Sequence, residues 1–413
     1  MELNVNKKDR EILRELAKRV AEIAALPEME ARKKLWTEHN SLRSKKPIIF
    51  ISPEGSWGEL ITHGDMQCED DEVRRQLEWP LRQKIYYYEH FVDDFVIESR
   101  TPVGKAIWNT GWGLTEQWKP TSQTKGARGF DPVITSRDDL TKLKHPEVVY
   151  DAEESQKRLA FHQELYGDIL DVVPQGVKQI SFHLMAQYTK LRGLEQVMMD
   201  MVTEPEWLHE AMAFLTEGHQ KILRQYEEMN LLELNNDNMY HNSGGNGWTD
   251  ELPPDDFDPN HVRLKDMWGS AEAQELAQVG PAMHREFSLD YEKQLLQHFG
   301  LNGYGCCEDL SQKMPDVLTI PNIRRISISP FASVEKCAEQ LQGNYIFSWK
   351  PHPSHLVGHF DEDAIRKYIR HTIDVCEKNG CVLEMILKDT HTCENHPERF
   401  DRWTQIAREE VER

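Results

Sequence analysis

Long apolar runs are missing from this sequence. No stretch approaches the roughly 18 consecutive apolar residues that a membrane-spanning helix needs. The N-terminal segment Lys7–Glu11 is entirely charged, which is not typical of a secretory signal peptide. The seven cysteines are an odd number without framework spacing, which favours reduced thiols over a disulfide scaffold. We therefore expect a cytoplasmic protein with no membrane partner.

Positive charge is also scarce. The chain has 49 Lys and Arg against 70 Asp and Glu, a formal net charge of -21. Such an acidic surface argues against nucleic acid as a partner, because phosphate backbones repel it. The glycine-rich loop at 241–245 lacks the lysine of a phosphate-binding loop, so nucleotide binding is not expected either. The charge does not by itself identify a partner, and we expect a small-molecule substrate.

Short apolar runs that end in polar or turn residues recur along the 413 residues. They begin near residues 48, 180, 231, 262, 302, 324, 345 and 381, which gives eight predicted strands. Helical or long segments separate them, and this alternation predicts an α/β fold, a (β/α)8 TIM-type barrel. Similar runs near 170 and at 95–97 predict further short strands, the first of them peripheral to the barrel.

Two segments stand apart from this alternation. Residues 1–45 have helical spacing of apolar residues and predict an N-terminal helical extension, followed by the barrel over 46–413. Residues 100–135 keep no period and carry Trp108, Trp112 and Trp118 among glycines that include Gly126. A long irregular loop of this kind often covers a binding site. The alternative is that the tryptophans only anchor the loop.

Barrel enzymes place their chemistry at the carboxyl ends of the strands. The residues that follow the predicted strands therefore form the candidate site. They are Glu54; His183; Asn236, Asp237 and His241; Asp266; Cys306, Cys307 and Glu308; Lys350 and His352; and Asp389, His391 and Cys393.

Thiols at two of these strand ends predict a metal centre. Asp389, His391 and Cys393 stand at every second position, so an extended backbone would point all three the same way. Cys306 and Cys307 are adjacent, so on a strand only one of them would reach the site. Zinc bound by thiolates with imidazole or carboxylate is a Lewis acid. Cys337, Cys376 and Cys381 are interpreted as small buried hydrophobic residues, and Cys68 as a loop residue.

Other residues have predicted roles in proton transfer or substrate binding. Asp237 and Asp266 are candidate acids or bases, although Asp266 has the alternative of pairing with Lys265. His183 is grouped with them, with a structural hydrogen-bonded role as its alternative. The predicted substrate contacts are Glu54, Trp57, Trp108, Trp112, Asn236, His241, Trp268, Lys350 and His352.

Three segments, Lys265–Gly269, Pro281–Phe287 and Gly303–Cys307, resemble the uroporphyrinogen decarboxylase-like superfamily. The resemblance covers roughly the C-terminal half. It implies a (β/α)8 barrel and either a cofactor-free decarboxylase or a zinc methyltransferase that works with a corrinoid protein. The decarboxylases carry an arginine-rich segment after the first strand, where this chain has Ser52–Glu59 without arginine.

The methyltransferases of that superfamily bind zinc through His-x-Cys on the sixth strand and a late Cys. Here the sixth strand offers Cys306 and Cys307, and His-x-Cys occurs at His391 and Cys393, so Glu308 or His391 would complete the ligands. The resemblance thus implies methyl transfer from a small apolar or aromatic substrate to a partner corrinoid protein. The alternatives are a cofactor-free decarboxylase or lyase that uses an Asp at the barrel mouth, and a non-catalytic binding barrel.

Overall fold

The computed structural model describes residues 5–44, 46–120 and 129–413 of the chain. Residues 121–128 of the predicted 100–135 loop, and residues 1–4 and 45 of the predicted extension, lie outside the described residues. The fold is α/β. The strands are β1 Ile48–Ile51, β2 Arg100–Gly104, β3 Ala106–Asn109, β4 Gln117–Trp118, β5 Phe130–Asp131, β6 Val148–Asp151, β7 Asp171–Gln175, β8 Ser181–Phe182, β9 Trp268–Ala271, β10 Leu301–Tyr304, β11 Ile323–Ile328, β12 Ile346–Trp349 and β13 Val382–Leu387.

The helices occupy most of the intervals between the strands. They are α1 Lys7–Ala24, α2 Pro27–Asn40, α3 Trp57–Leu60, α4 Asp71–Val73, α5 Trp79–His90, α6 Ala152–Tyr166, α7 Leu184–Arg192, α8 Leu194–Thr203, α9 Pro205–Glu228, α10 Pro281–His284, α11 Asp290–Leu296, α12 Met314–Val317, α13 Val334–Leu341, α14 Glu362–Asn379 and α15 Glu398–Val411. Among the described residues, no helix combines the length and apolar character that crossing a membrane requires.

The chain divides into two compact units. The first comprises Met1–Ala106, Ala152–Gln175 and Leu341–Arg413, and the second comprises Ile107–Asp151 and Gly176–Gln340. In the first unit β13 pairs in parallel with β1 on one side and β12 on the other. In the second unit β8, β9, β10 and β11 pair in parallel in that order. Helices α1 and α2, predicted as an extension, belong to the first unit.

Six of the eight predicted strand regions form these parallel ladders within the described residues. The prediction near 231 is wrong, because Leu232 makes only an isolated bridge to Val177. The prediction over 262–266 is displaced, because Leu264–Asp266 is a 3-10 turn and β9 begins at Trp268. The strand predicted near 170 is peripheral, as expected, since β7 pairs with β2 outside the ladders. The 100–135 segment is less irregular than predicted, since β2 to β5 lie in it.

Carboxylates cover the outer edge of β1, where the strand predicted at 95–97 is replaced by a loop. The N–H of Ile49 donates to Asp94 Oδ2 at 2.9 Å, and the N–H of Ile51 donates to Asp93 Oδ2 at 3.2 Å. The N–H of Asp94 donates back to the Ile49 carbonyl at 2.8 Å. Side-chain oxygens thus replace the backbone acceptors of a neighbouring strand. The buried N–H groups of Ile49 and Ile51 are both satisfied in this way.

One prediction concerns the pH dependence of stability. Burial raises the pKa of Asp93 to about 7, against about 3.9 in an unfolded chain. The folded state therefore holds a proton that the unfolded state releases, and the free energy of unfolding falls as pH rises from about 4 to about 7. Asp93→Asn keeps an acceptor oxygen but has no proton to lose, so it should flatten this slope. Urea unfolding at a series of pH values measures it.

The exposed Asp255 supplies the matched control, because Asp255→Asn changes the same group without burial. That variant should keep the wild-type slope. Equal slopes for wild type and Asp93→Asn would show that the Asp93 carboxyl is not the titrating group.

Candidate active site

Three neighbouring strands of the second unit deliver polar residues to one edge of their sheet. The ladder register aligns Phe182 and Tyr304 with Ala271 of β9. The N–H of Glu272 donates to the Phe182 carbonyl at 3.1 Å, and the N–H of Gly305 donates to the Ala271 carbonyl at 2.9 Å. The residues directly after these strands therefore lie side by side at their carboxyl ends, the position of active sites in parallel α/β folds.

His183 follows β8 and contacts two partners through its two ring nitrogens. Nδ1 hydrogen-bonds to Glu272 Oε1, and Nε2 lies 3.1 Å from the amide nitrogen of Asn242. The side chain of Gln179 donates to Asn242 Oδ1 at 2.7 Å, which fixes the Asn242 amide with its nitrogen towards the imidazole. These contacts assign the proton of a neutral ring to Nδ1, where it is donated to Glu272.

The two partners act on the protonation of His183 in opposite directions. Burial lowers the pKa of His183, but the hydrogen bond and charge of Glu272 more than offset it, and the net pKa is raised. The Asn242 N–H that faces Nε2 stabilises the neutral ring instead. The side chain is 39% exposed, so the ring is accessible to a ligand while its orientation is fixed.

Two further glutamates, Glu308 and Glu275, lie near Glu272. Glu308 accepts the N–H groups of Cys306 at 2.9 Å and Ala273 at 3.2 Å, and burial raises its pKa. Glu275 has its pKa raised to about 7 by burial, and the charges of Glu272 and Glu308 add to this. Glu275 is thus poised to exchange a proton near neutral pH.

Sequence reasoning missed Glu272 and Glu275. The apolar run Trp268–Ala271, followed at once by an acid, was the available signal. It was overlooked because the strand was predicted several residues too early.

Cys306 and Cys307 do not continue β10. Gly305 has φ +89° and turns the backbone out of the strand, a conformation that glycine adopts readily. The expectation that the two side chains point to opposite faces is therefore wrong, and their sulfurs lie 3.5 Å apart. Both cysteines are half-buried. This strand end thus presents two thiols together rather than one.

The first unit has its own polar group at the end of β13. Asp389 has φ +58°, so the backbone does not stay extended and the expected alignment of Asp389, His391 and Cys393 is wrong. The N–H of Asp389 donates to Glu54 Oε2 at 3.2 Å. Burial raises the pKa of Glu54.

Glu59 organises the segment that follows β13, although it was not among the predicted residues. Its Oε2 accepts the N–H groups of Cys393 and Asn395, each at 2.9 Å, and lies 3.3 Å from the Cys393 sulfur. Burial raises the pKa of Glu59, but these hydrogen bonds outweigh it and hold the pKa at about 2. Burial, with the hydrogen bond to Glu59, raises the pKa of Cys393 to about 11, so this thiol is protonated and donates to a carboxylate.

The two predicted acids have cationic partners. Asp237 pairs with Lys178. Asp266 is fully buried, pairs with Arg263 Nη2 at 2.9 Å, and accepts the Arg263 N–H at 2.8 Å. The alternative of Asp266 pairing with Lys265 is not seen, because Lys265 contacts Asp256. Asp266 thus caps a turn in this structure.

Several predicted substrate contacts are placed in the framework of the second unit. Asn236 donates to the Leu252 carbonyl at 2.6 Å. The buried His241 ring lies 3.4 Å from the Asn235 carbonyl. Trp268 is buried and donates to the Gly247 carbonyl at 3.1 Å.

Predicted contacts in the first unit have similar local partners. The ammonium of Lys350 is buried and donates to Ser348 Oγ at 2.6 Å. His352 Nδ1 accepts the Ser354 N–H at 3.3 Å. The Trp57 ring packs edge-on against the nearby tyrosines of α5.

The predicted tryptophan loop contains both an exposed and an anchored ring. Trp108 is 51% exposed. Trp112 packs on the apolar cluster of Val148 and Ile222, and a Cβ added to Gly218 of α9 would meet its ring at 2.4 Å. The anchoring alternative therefore describes Trp112, and Trp108 is free to contact a ligand.

The predicted metal donors fall into two sets. Cys306, Cys307 and Glu308 lie in the second unit, and His391 and Cys393 in the first. Over the described ranges of the chain, no three or more His, Cys, Asp or Glu side chains are arranged as a metal-binding group. The thiols have the right donor chemistry for zinc, but neither set is arranged around an ion.

A second prediction follows from the two partners of His183. Glu272→Gln removes the stabilising charge and should lower the pKa of His183. Asn242→Ala removes the hydrogen-bond donor to Nε2 and should raise the pKa of His183. NMR titration of the imidazole resonances measures both, with His183→Ala assigning the signal. Unchanged midpoints in both variants would contradict the assigned contacts. His355, whose pKa is lowered to about 4 by burial and by the charge of His352, serves as the internal reference ring.

No protein-family model matches the chain, and no curated protein matches its sequence.

Proposed function

We propose that this chain is a methyltransferase of the uroporphyrinogen decarboxylase-like superfamily, with the (β/α)8 barrel fold expected for that superfamily. The observation that carries the proposal is the convergence of His183, Glu272, Glu308 and two thiols at the carboxyl ends of β8, β9 and β10. Thiols beside an oriented imidazole and buried acids suit a metal-assisted transfer reaction. The acceptor we propose is a corrinoid held by a partner protein.

Zinc is the proposed cofactor, and each unit offers its own candidate donors: Cys306, Cys307 and Glu308 in the second unit, and His391 and Cys393 in the first. When bound, it would supply Lewis acidity to the heteroatom that carries the methyl group. Cys393 must lose its proton to become a ligand, because zinc binds the thiolate. In the structure the Cys393 sulfur lies 3.3 Å from Glu59 Oε2.

In this proposal, residues of the chain carry out the proton transfer. Glu272 orients His183 through Nδ1, which leaves the opposite side of the ring to meet a ligand once Asn242 is displaced. Glu272 also favours the charged ring. His183 would therefore deliver a proton from Nε2 to the heteroatom from which the methyl group departs. Glu275, with its pKa near 7, would replenish that proton.

One observation favours a second candidate, a cofactor-free decarboxylase or lyase. The group of His183, Glu272, Glu275 and Glu308 is a proton-transfer site without any metal. Asp237 and Asp266, the acids expected from the sequence, are less suited to the role because each is paired with a cation. In this candidate His183 and Glu275 replace them.

A third prediction separates the two candidates. Purified protein should contain about one zinc per chain by elemental analysis, and should methylate cob(I)alamin from a methoxylated aromatic donor. Cys393→Ala should lower both zinc content and methyl transfer, because it removes a predicted ligand. Full decarboxylase or lyase turnover in metal-free protein would instead favour the second candidate.

Cys337 is the matched control for this experiment. It is also fully buried, and its sulfur lies 3.5 Å from Ser311 Oγ, much as the Cys393 sulfur lies beside Glu59. Cys337→Ala should cost about 1 kcal/mol of stability and leave zinc and methyl transfer unchanged. Equal losses of zinc in the two variants would overturn the role of Cys393.

A fourth prediction concerns the substrate. We propose a small apolar or aromatic molecule, because Trp108 is exposed and the segment after β1 has no arginine for a polyanion. Trp108→Phe should weaken binding of methoxylated aromatics without loss of stability, as followed by fluorescence titration. Trp112→Phe should lower stability and leave binding intact, because that ring packs against α9. Loss of binding in Trp112→Phe alone would reverse these roles.

A further inference from the structure

The two adjacent thiols of the second unit are held unusually close to each other. The sulfurs of Cys306 and Cys307 are 3.5 Å apart. A disulfide bond requires about 2.05 Å, so closure needs the two sulfurs to approach by roughly 1.5 Å. Both residues are half-buried, whereas Cys68, Cys337, Cys376, Cys381 and Cys393 are buried. The pair is therefore the thiol site most accessible to a small oxidant.

The backbone of the pair is fixed from two sides. Glu308 accepts the Cys306 N–H at 2.9 Å, and Ser327 Oγ donates to the Cys306 carbonyl at 2.9 Å. Gly305, at φ +89°, turns the chain just before the pair, and beyond this turn the two sulfurs lie 3.5 Å apart. The sulfurs are thus brought together by the fold, and little further ordering is needed for them to react.

We propose that Cys306 and Cys307 are a modification site, which peroxide-class oxidants close reversibly into a disulfide between neighbouring residues. This goes beyond the proposed function, because neither metal binding nor methyl transfer is needed for it. If both thiols are also zinc donors, closure would remove them from the metal. That consequence, unlike the disulfide itself, rests on the proposed function.

The oxidation balances with hydrogen peroxide as the oxidant. One thiolate attacks a peroxide oxygen, the O–O bond breaks, and a sulfenic acid and hydroxide form. The second thiol then attacks the sulfenic sulfur, the S–O bond breaks, and water leaves. Two thiols and one peroxide thus give one disulfide and two waters, the two electrons passing from sulfur to the peroxide.

Covalent geometry makes such a bond easy to reduce. The Cα atoms of neighbouring residues are about 3.8 Å apart, which is shorter than the roughly 4.4–6.8 Å of ordinary disulfides. The resulting strain favours reduction by a thiol. The closed form should therefore reopen with dithiothreitol.

Mass spectrometry of the full-length protein tests the proposal. After hydrogen peroxide, the remaining thiols are labelled with iodoacetamide in denaturant and the protein is cut with trypsin. Cleavage after Lys293 and Lys313 releases residues 294–313, whose only cysteines are Cys306 and Cys307. We expect the iodoacetamide labelling of this peptide to fall roughly tenfold, and the mass of the unlabelled peptide to be two hydrogens below that of its dithiol form. Cys337, which is buried, should stay labelled. Dithiothreitol should restore both labels.

Cys306→Ser provides the matched variant, since Cys307 then has no neighbouring thiol. Its peptide should carry either the label or oxygen-containing acids of sulfur, and never the two-hydrogen loss. Retention of both labels in the wild-type peptide, or oxidation of each sulfur separately, would overturn the proposal. Neither result would bear on zinc content or methyl transfer, so failure of this inference and failure of the proposed function are distinguishable.

Discussion

The parallel register of β8, β9 and β10 is the constraint on which the candidate site depends. Because Phe182, Ala271 and Tyr304 are aligned across the ladder, the next residue of each strand emerges at the same edge. His183 and Glu272 are distant in sequence, yet this register makes them hydrogen-bonded neighbours. A shift of one residue in β9 would turn Glu272 to the other face and leave His183 without its anion.

Burial and hydrogen bonding then set the pKa values of the glutamates at the candidate sites. An exposed glutamate is ionised near neutral pH, whereas burial beside other carboxylates raises the pKa of Glu275 to about 7. The opposite outcome is seen at Glu59, where hydrogen bonds from the chain around Cys393 overcome burial and hold the pKa at about 2. The two glutamates thus differ in pKa, because hydrogen bonds dominate at Glu59 whereas burial and neighbouring carboxylates dominate at Glu275.

Side chains also complete the sheets where strands are absent. Asp93 and Asp94 accept from β1 along its outer edge. In the second unit Asn235 accepts the Trp268 N–H at 2.8 Å and donates to the Lys178 carbonyl at 2.9 Å. These contacts explain why strands predicted near 95 and 231 are loops: a short side chain satisfies the polar groups that a neighbouring strand would otherwise pair.

The sequence by itself determined the α/β class and most of the strands, because runs such as Val382–Leu387 are apolar, short and bounded by turn residues. It also indicated His183 and the paired cysteines as candidate site residues, because the active-site residues of barrel enzymes lie at the carboxyl ends of the strands. Only the tertiary structure decided that Glu272 faces His183, that Gly305 brings two sulfurs together, and that Asp266 is held by Arg263. Such contacts depend on register, backbone φ and burial, and these arise between segments that the linear pattern does not relate.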